Sequence, residues 1–414
     1  MKQLYKINSE RLLQRVEELS KIGKTPENGV TRKALTKDDY EAQQLVANWM
    51  REAGLEVRVD NLGNLIGRKE GNDSNAPSIM IGSHIDTVPN GGKYDGTIGV
   101  LGGIEVAQFI HDEGMQTKYP IEVIAFCDEE GTRFQGGLFG SRGMVGKVTE
   151  LELLKKDDNG ISRYEALKSF GLNPDLIHES VRCKGEIKVF LELHIEQGPY
   201  LQSIDKPVGI VTGIAGPAWF SVKIFGESGH AGTVPMNLRR DPIAGAAKII
   251  GFIEEVCSKD SNSQTVGTVG KITAIPGGSN VIPELVEFTL DIRDIDLERR
   301  NQTISKIKNE IARICKDREL RYEIVEHLIK DPTMCAPHVV EKMMEIGKSL
   351  ELDAPKMISG AGHDAMAIGE IADIGVIFVR CLNGISHNPK ESAAIMDITK
   401  GVSLLQETVL NYVK

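Results

Sequence analysis

The chain has 414 residues, a formal net charge of −10, 41% hydrophobic and 26% charged residues. A single core rarely grows past roughly 250–300 residues, so two domains are expected. No basic stripe is present to neutralise phosphates, which excludes nucleic acid as a partner, and neither a polybasic patch nor an 18-residue apolar run points to a membrane. The first residues lack the apolar stretch of a signal peptide. Six scattered cysteines (127, 183, 257, 315, 335 and 381) form no CxxC and read as reduced thiols, so a cytoplasmic location is expected.

In chain order, residues 9–22 read as an amphipathic helix capped by Ser9, with Leu12, Val16 and Leu19 on one face. Residues 37–53 read as a second helix, with Thr36 and Asp39 as a capping pair. Strand-like runs follow at 56–60, 64–68 and 78–82, then a helix over 98–113 whose first turns are rich in small residues, and strands over 121–126 and 189–193. This alternation predicts an α/β domain with a mainly parallel sheet. After about residue 212 the pattern becomes strand 219–225, helix 241–256, strands 265–274 and 285–292, helix 297–315 and strand 321–328. That order, βαββαβ, is the split pattern of a ferredoxin-like domain. Helix 338–350, a loop at 359–364, the buried-type strand 374–379 and helix 398–412 then return to the first pattern. The expected fold is a mixed, mainly parallel α/β domain over 1–212 and 330–414, with a ferredoxin-like domain inserted at 213–329.

Chemistry-bearing residues gather where predicted strands end, which is where open α/β sheets bind ligands. His84 and Asp86 follow the third strand, and Asp95 sits in the glycine-rich loop after them. A P-loop is excluded there, because its required Gly and Ser/Thr positions hold Thr87 and Tyr94. Asp128-Glu129-Glu130 ends the 121–126 strand, His194 ends the next, and His387 follows the strand at 374–379. Taken singly, each reads as a structural histidine or a solvated acidic loop. Adjacent carboxylates at a strand end repel unless a cation or proton relieves them, and four such strand ends point to one shared site. Mixed imidazole and carboxylate donors suit zinc, manganese, cobalt or nickel better than calcium. No Gly-x-Ser-x-Gly elbow supports nucleophilic serine chemistry.

The stretches GSHIDTVPNGGKYDG, CDEEGTRF, GSRGM, ELHIEQGP, GESGHAGTVPM with RRDP, PGGSNVIPE, SGAGHDA and GISHNP, spread from residue 82 to residue 389, resemble the M20 metallopeptidase superfamily. ELHIEQG with HAGTVPM resembles its hydantoinase/carbamoylase branch, which hydrolyses N-carbamoyl groups rather than peptides. The resemblance implies two divalent ions, with His84 and His194 on one, Glu130 and His387 on the other, and Asp95 bridging. It implies Glu129 as general base, Asp86 orienting His84, and His230 stabilising the oxyanion. Asn280 and Arg293 would bind a substrate carboxylate, and Gln197 the ureido group or carboxylate. Gly362 and His363 are implied near substrate through the loop backbone. The implied substrate is a small molecule with a carboxylate and a ureido group. An N-carbamoyl-L-amino acid comes first, with allantoate and then a carbamoyl β-amino acid as alternatives. The inserted domain is implied to act as a lid and to form a homodimer.

Overall fold

The computed structural model describes residues 7–73, 75–259 and 264–413. Two compact units share the chain, one running up to Thr212 and resuming at Met334, the other Gly213–Thr333. Before the break come β1 (Glu56–Val59), β2 (Leu65–Lys69), β3 (Ser78–His84), β4 (Ile121–Phe126), β5 (Ile187–Ile195) and β6 (Val208–Ile214). The second unit contributes β7 (Gly216–Phe225), β8 (Gly229–His230), β9 (Val266–Thr268), β10 (Ile272–Ile275), β11 (Val281–Ile282), β12 (Leu285–Asp294) and β13 (Arg321–Ile329). The chain then forms β14 (Thr333–Met334), β15 (Lys356–Ser359) and β16 (Asp373–Val379).

In the first unit the strand order is β1-β2-β4-β3-β5-β16-β6-β14, with β15 also on β6. The four central strands, β4-β3-β5-β16, are parallel, whereas β1, β2 and β6 add antiparallel flanks. β3 and β4 are buried at every residue, as parallel strands covered on both faces must be. Asp373–Val379 pairs in register with Val189–Ile195, so the C-terminal segment returns to the first sheet. From β3 the chain moves to β4 on one side, and β5 lies on the other. The carboxyl ends of β3 and β5 therefore flank a topological switch point, where the sheet leaves a crevice. The helix Thr97–Asp112 packs on these strands and is buried from Thr97 to Ile110. Its glycines permit that: Gly103 sits against Ile81 and Val123.

The second unit has sheet order β10-β12-β7-β13, all antiparallel, with β9 also on β12. Helices Pro242–Ser258 and Leu297–Asp317 bury Ile249, Ile253, Ile304, Ile307 and Ile311 against Phe220, Val222, Ile224, Phe288 and Ile292. Burial alternates along β7 and β12, so one sheet face meets the helices. The β-α-β-β-α-β order is that of the split pattern.

Two local expectations are corrected. The first helix is capped by Asn8, whose side chain accepts the Arg11 N–H, and Ser9 is already inside the helix. The strand expected over 265–274 is two strands, β9 and β10, both paired with β12. Thr289 Oγ1 takes the Lys271 N–H between them. All six cysteines are unpaired thiols. Among the described residues no helix is long and apolar enough to cross a membrane.

Candidate metal centre

Parallel strands in register bring their last residues side by side. His84 closes β3 opposite Phe126 of β4, and His194 lies near the end of β5 opposite Phe378 of β16. The two imidazoles stand 5.8 Å apart, centroid to centroid. Each is aimed by a main-chain carbonyl: His84 Nδ1 lies 3.0 Å from Asp86 O, and His194 Nδ1 2.9 Å from Ile195 O. With the proton on Nδ1, His84 Nε2 presents a lone pair to the crevice, and the His194 Nε2 lone pair faces the Gly96 N–H at 3.1 Å.

Asp95 divides its two oxygens. Oδ1 is 3.0 Å from His194 Nε2 and 3.8 Å from His84 Nε2. Oδ2 is 3.1 Å from His387 Nε2, which in turn is 3.6 Å from Glu130 Oε1. Two donor sets result, His84–Asp95–His194 and Asp95–Glu130–His387, each with its ligand atoms within 4.8 Å of one another. Gly96, with φ of +64°, makes this possible, because a Cβ there would overlap the His84 ring.

The electrostatics fit a cation. Burial pushes the Glu129 carboxyl well above its usual range, with Glu130 and Asp364 adding to it. Burial and the Asp95 charge push Glu130 up to about 8. Burial lowers His84 to about 4, which leaves it neutral and able to ligate. Burial also opposes the charge on His194, but the hydrogen bond and charge of Asp95 outweigh it and raise the ring to about 9. The hydrogen bond to Asp95 raises His387 to about 9. Protons thus gather where positive charge is needed, and divalent cations can replace them. Two imidazoles with a carboxylate, and one imidazole with two, are donor sets that zinc, manganese, cobalt or nickel accept.

Glu129 belongs to neither set. Its Oε2 lies 3.7 Å from His84 Nε2, at the edge of the cluster. The Asp86 carboxylate accepts the main-chain N–H groups of Glu129 and Glu130, both at 3.2 Å. Its contact with His84 runs through its main-chain carbonyl, with carboxylate Oδ1 3.8 Å from the ring. The neighbouring Asp128 points away to the fully buried Arg163, at 2.7 Å. Asp128, Gln197 and His387 all adopt positive φ, which is uncommon outside glycine.

Gln197 donates from Nε2 to Asp95 Oδ2 at 2.9 Å, which fixes the amide orientation and leaves Oε1 buried without a hydrogen-bond partner. His363 is buried, its ring 4.6 Å from His194 and its Nε2 2.8 Å from Ser359 Oγ, so it props a ligand ring. Gly362 beside it is exposed. In the second unit His230 and Asn280 are exposed neighbours: β8 pairs with β11, and Asn280 O accepts the Ala231 N–H at 2.9 Å. Arg293, half-buried on β12, forms an ion pair with Asp291 at 2.8 Å.

Around the centre, the sequence assigns no role to Glu192, Ser386 and Glu391, and to Asp364 only a place with His363 in the 359–364 loop. Ser386 and Glu391 lie against Asp95. Glu192, fully buried, accepts from Ser83 Oγ at 2.7 Å and from the Ala365 N–H at 2.9 Å, which ties the 359–364 loop to β5. Asp364 is buried beside it, its carboxyl held well above the usual range by burial, with Glu192 contributing. A carboxylate whose partners are main-chain N–H groups far away in sequence leaves no local pattern, and only adjacency to His194, His363 and His387 marks these positions.

The profile of peptidase family M20/M25/M40 matches residues 80–411. The chain is 56% identical over 409 residues to the N-carbamoyl-L-amino-acid amidohydrolase of Pseudomonas sp., spanning 98% of this chain and 99% of that one. It is 46% identical over 403 residues to the N-carbamoyl-L-amino acid amidohydrolase of Geobacillus stearothermophilus, spanning 97% and 98%. The solved structure of a hydantoinase/carbamoylase family amidase from Burkholderia multivorans superposes with a TM-score of 0.93 at 35% identity, over 99% and 98% of the two chains.

Proposed function

The chain belongs to peptidase family M20/M25/M40, and from that premise we propose that it hydrolyses the carbamoyl C–N bond of N-carbamoyl-L-amino acids with two divalent ions. The observation that carries the chemistry is the division of Asp95 between two histidine sets, with Glu129 left outside both. The 56% identity to an N-carbamoyl-L-amino-acid amidohydrolase supports the substrate class.

His84 and His194 would hold one ion, Glu130 and His387 the other, and Asp95 both. The ions supply a Lewis acid for the ureido carbonyl and lower the pKa of the attacking water. Glu129 takes the proton from that water and returns it to the leaving α-amine as the C–N bond breaks. The products are the free L-amino acid and carbamic acid, which decomposes to ammonia and carbon dioxide. Asp86 keeps Glu129 and Glu130 aligned by holding their backbone N–H groups. The unpartnered Gln197 Oε1 accepts a ureido N–H. Arg293 with Asn280 takes the substrate carboxylate, His230 takes the developing oxyanion, and Gly362 with His363 lines the loop beside substrate. A homodimer belongs to the same proposal, and sedimentation of the active protein tests it.

The test is metal removal and return with N-carbamoyl-L-methionine. Chelated protein should release no methionine, and activity should return as two equivalents of manganese, cobalt, nickel or zinc are restored. Full activity in protein with less than 0.1 ion per chain would overturn the proposal.

A further inference from the structure

We propose that Glu391 is a positioning residue for Asp95, one that draws the Ser386 hydroxyl hydrogen away from Oδ2 so that this oxygen is free to ligate. This rests on the metal-centre reading above. Glu391 is 5% exposed and uses both carboxylate oxygens. Oε1 accepts two main-chain N–H groups, from Tyr94 at 2.9 Å and Asp95 at 3.1 Å. Oε2 is 3.0 Å from Ser386 Oγ. Ser386 Oγ also lies 2.9 Å from Asp95 Oδ2, the oxygen that faces His387. The loop is built to admit this carboxylate, because a Cβ on Gly92 would overlap the Glu391 carboxyl group. The contact joins segments nearly 300 positions apart in the chain.

The argument turns on counting hydrogens. Ser386 has one hydroxyl hydrogen and two carboxylates within reach, so it serves only one at a time. Gln197 Nε2 already donates to Asp95 Oδ2 at 2.9 Å, which leaves that oxygen one further lone pair, and this lone pair is released when the Ser386 hydrogen goes to Glu391 Oε2. Replacement of Glu391 by Gln removes that choice. The two backbone N–H groups hold the amide oxygen at the Oε1 position, so the amide nitrogen must occupy the Oε2 position and donate to Ser386 Oγ. The Ser386 hydrogen then has Asp95 Oδ2 as its acceptor and competes there with a cation. Removing a group that orients a metal ligand costs metal affinity roughly 10–100-fold.

The experiment is calorimetric titration of the metal-stripped full chain with Mn²⁺ and Zn²⁺, in wild type, Glu391→Gln, Ser386→Ala and the double variant, with thermal midpoints of the stripped proteins alongside. Glu391→Gln should weaken one of the two ions by about tenfold or more. Its stripped midpoint should stay within about 2 °C of wild type, because both backbone N–H groups keep their acceptor. Ser386→Ala alone should bind nearly as wild type, and adding it to Glu391→Gln should recover most of the lost affinity, since the competing donor is gone. Wild-type affinity in Glu391→Gln would overturn the inference. So would a double variant that binds no more tightly than Glu391→Gln, which marks a structural role only. Failure of wild type to bind two ions would overturn the metal-centre reading itself, and this inference with it.

Discussion

Replacing Glu129 by Gln separates proton transfer from metal binding. The substitution keeps side-chain volume and removes the base. Because Glu129 is in neither donor set, metal content should remain at two ions per chain. The loop should hold too, since its bonds are main-chain ones: Glu129 N–H to Asp86 Oδ1 at 3.2 Å and Leu138 N–H to Glu129 O at 2.8 Å. The loss therefore falls on kcat. A positioned general base contributes roughly 10²–10⁴-fold, or about 3–5 kcal/mol at 1.36 kcal/mol per tenfold. KM should change by less than about threefold, because no substrate-binding group is removed. In the metal-free protein at pH 8 the variant should be more stable than wild type. A carboxyl held well above its usual range by burial, Glu130 and Asp364 is there replaced by a neutral amide. The assay is steady-state release of the free amino acid, with metal analysis on the same sample. A kcat within tenfold of wild type at two ions per chain would refute the reasoning.

The remaining predictions concern stability and assembly of the site. Metal-free protein should lose thermal stability from pH 6.5 to 9. His194 and His387, raised to about 9, stabilise the fold fully below about 6.5 and lose that contribution as they deprotonate. Glu130, pushed up to about 8, keeps a proton that the unfolded chain releases near 4.5, so its cost to the fold grows until pH passes 8. Melting curves with and without added ions check this, and a midpoint that rises with pH in stripped protein contradicts it. Arg163→Met should cost roughly 3–5 kcal/mol by stranding Asp128 in the core, and Asp128→Asn in that background should recover part of it. Denaturant melts of both decide the point, and an unchanged midpoint in Arg163→Met counts against it. Gly96→Ala, at φ of +64° and against the His84 ring, should leave a folded protein with less than two ions bound. Calorimetry with intact two-ion binding would contradict that.

The main strands and helices of the first unit, and the βαββαβ order of the insert, follow from hydrophobic periodicity and small-residue runs alone. The C-terminal segment could be assigned to the first sheet only by element type, because parallel pairing of β16 with β5 depends on residues about 180 positions apart. The antiparallel flanks were equally hidden, since a short strand reads the same in either direction. The ligands were legible because β3, β4 and β5 each end in a histidine or carboxylates, an arrangement a solvated loop does not require. His387 was legible through its motif, but Glu391 four residues on was not. Its partners are N–H groups of residues 94 and 95, which only the folded chain brings near. Asp86 was read as the orienter of His84, a role a His-x-Asp spacing allows. Its main-chain carbonyl does aim the ring, whereas its carboxylate turns to the backbone of residues 129 and 130, which no spacing rule could have foretold.

The central claim, a two-ion hydrolase of N-carbamoyl-L-amino acids, is tested most directly by one competition. Protein reconstituted with two ions should be assayed for kcat/KM on N-carbamoyl-L-methionine, allantoate and N-carbamoyl-β-alanine. The account predicts that N-carbamoyl-L-methionine exceeds both others by at least about 100-fold, a difference of about 2.7 kcal/mol in transition-state binding. A higher value on allantoate or on the β-alanine derivative would contradict it.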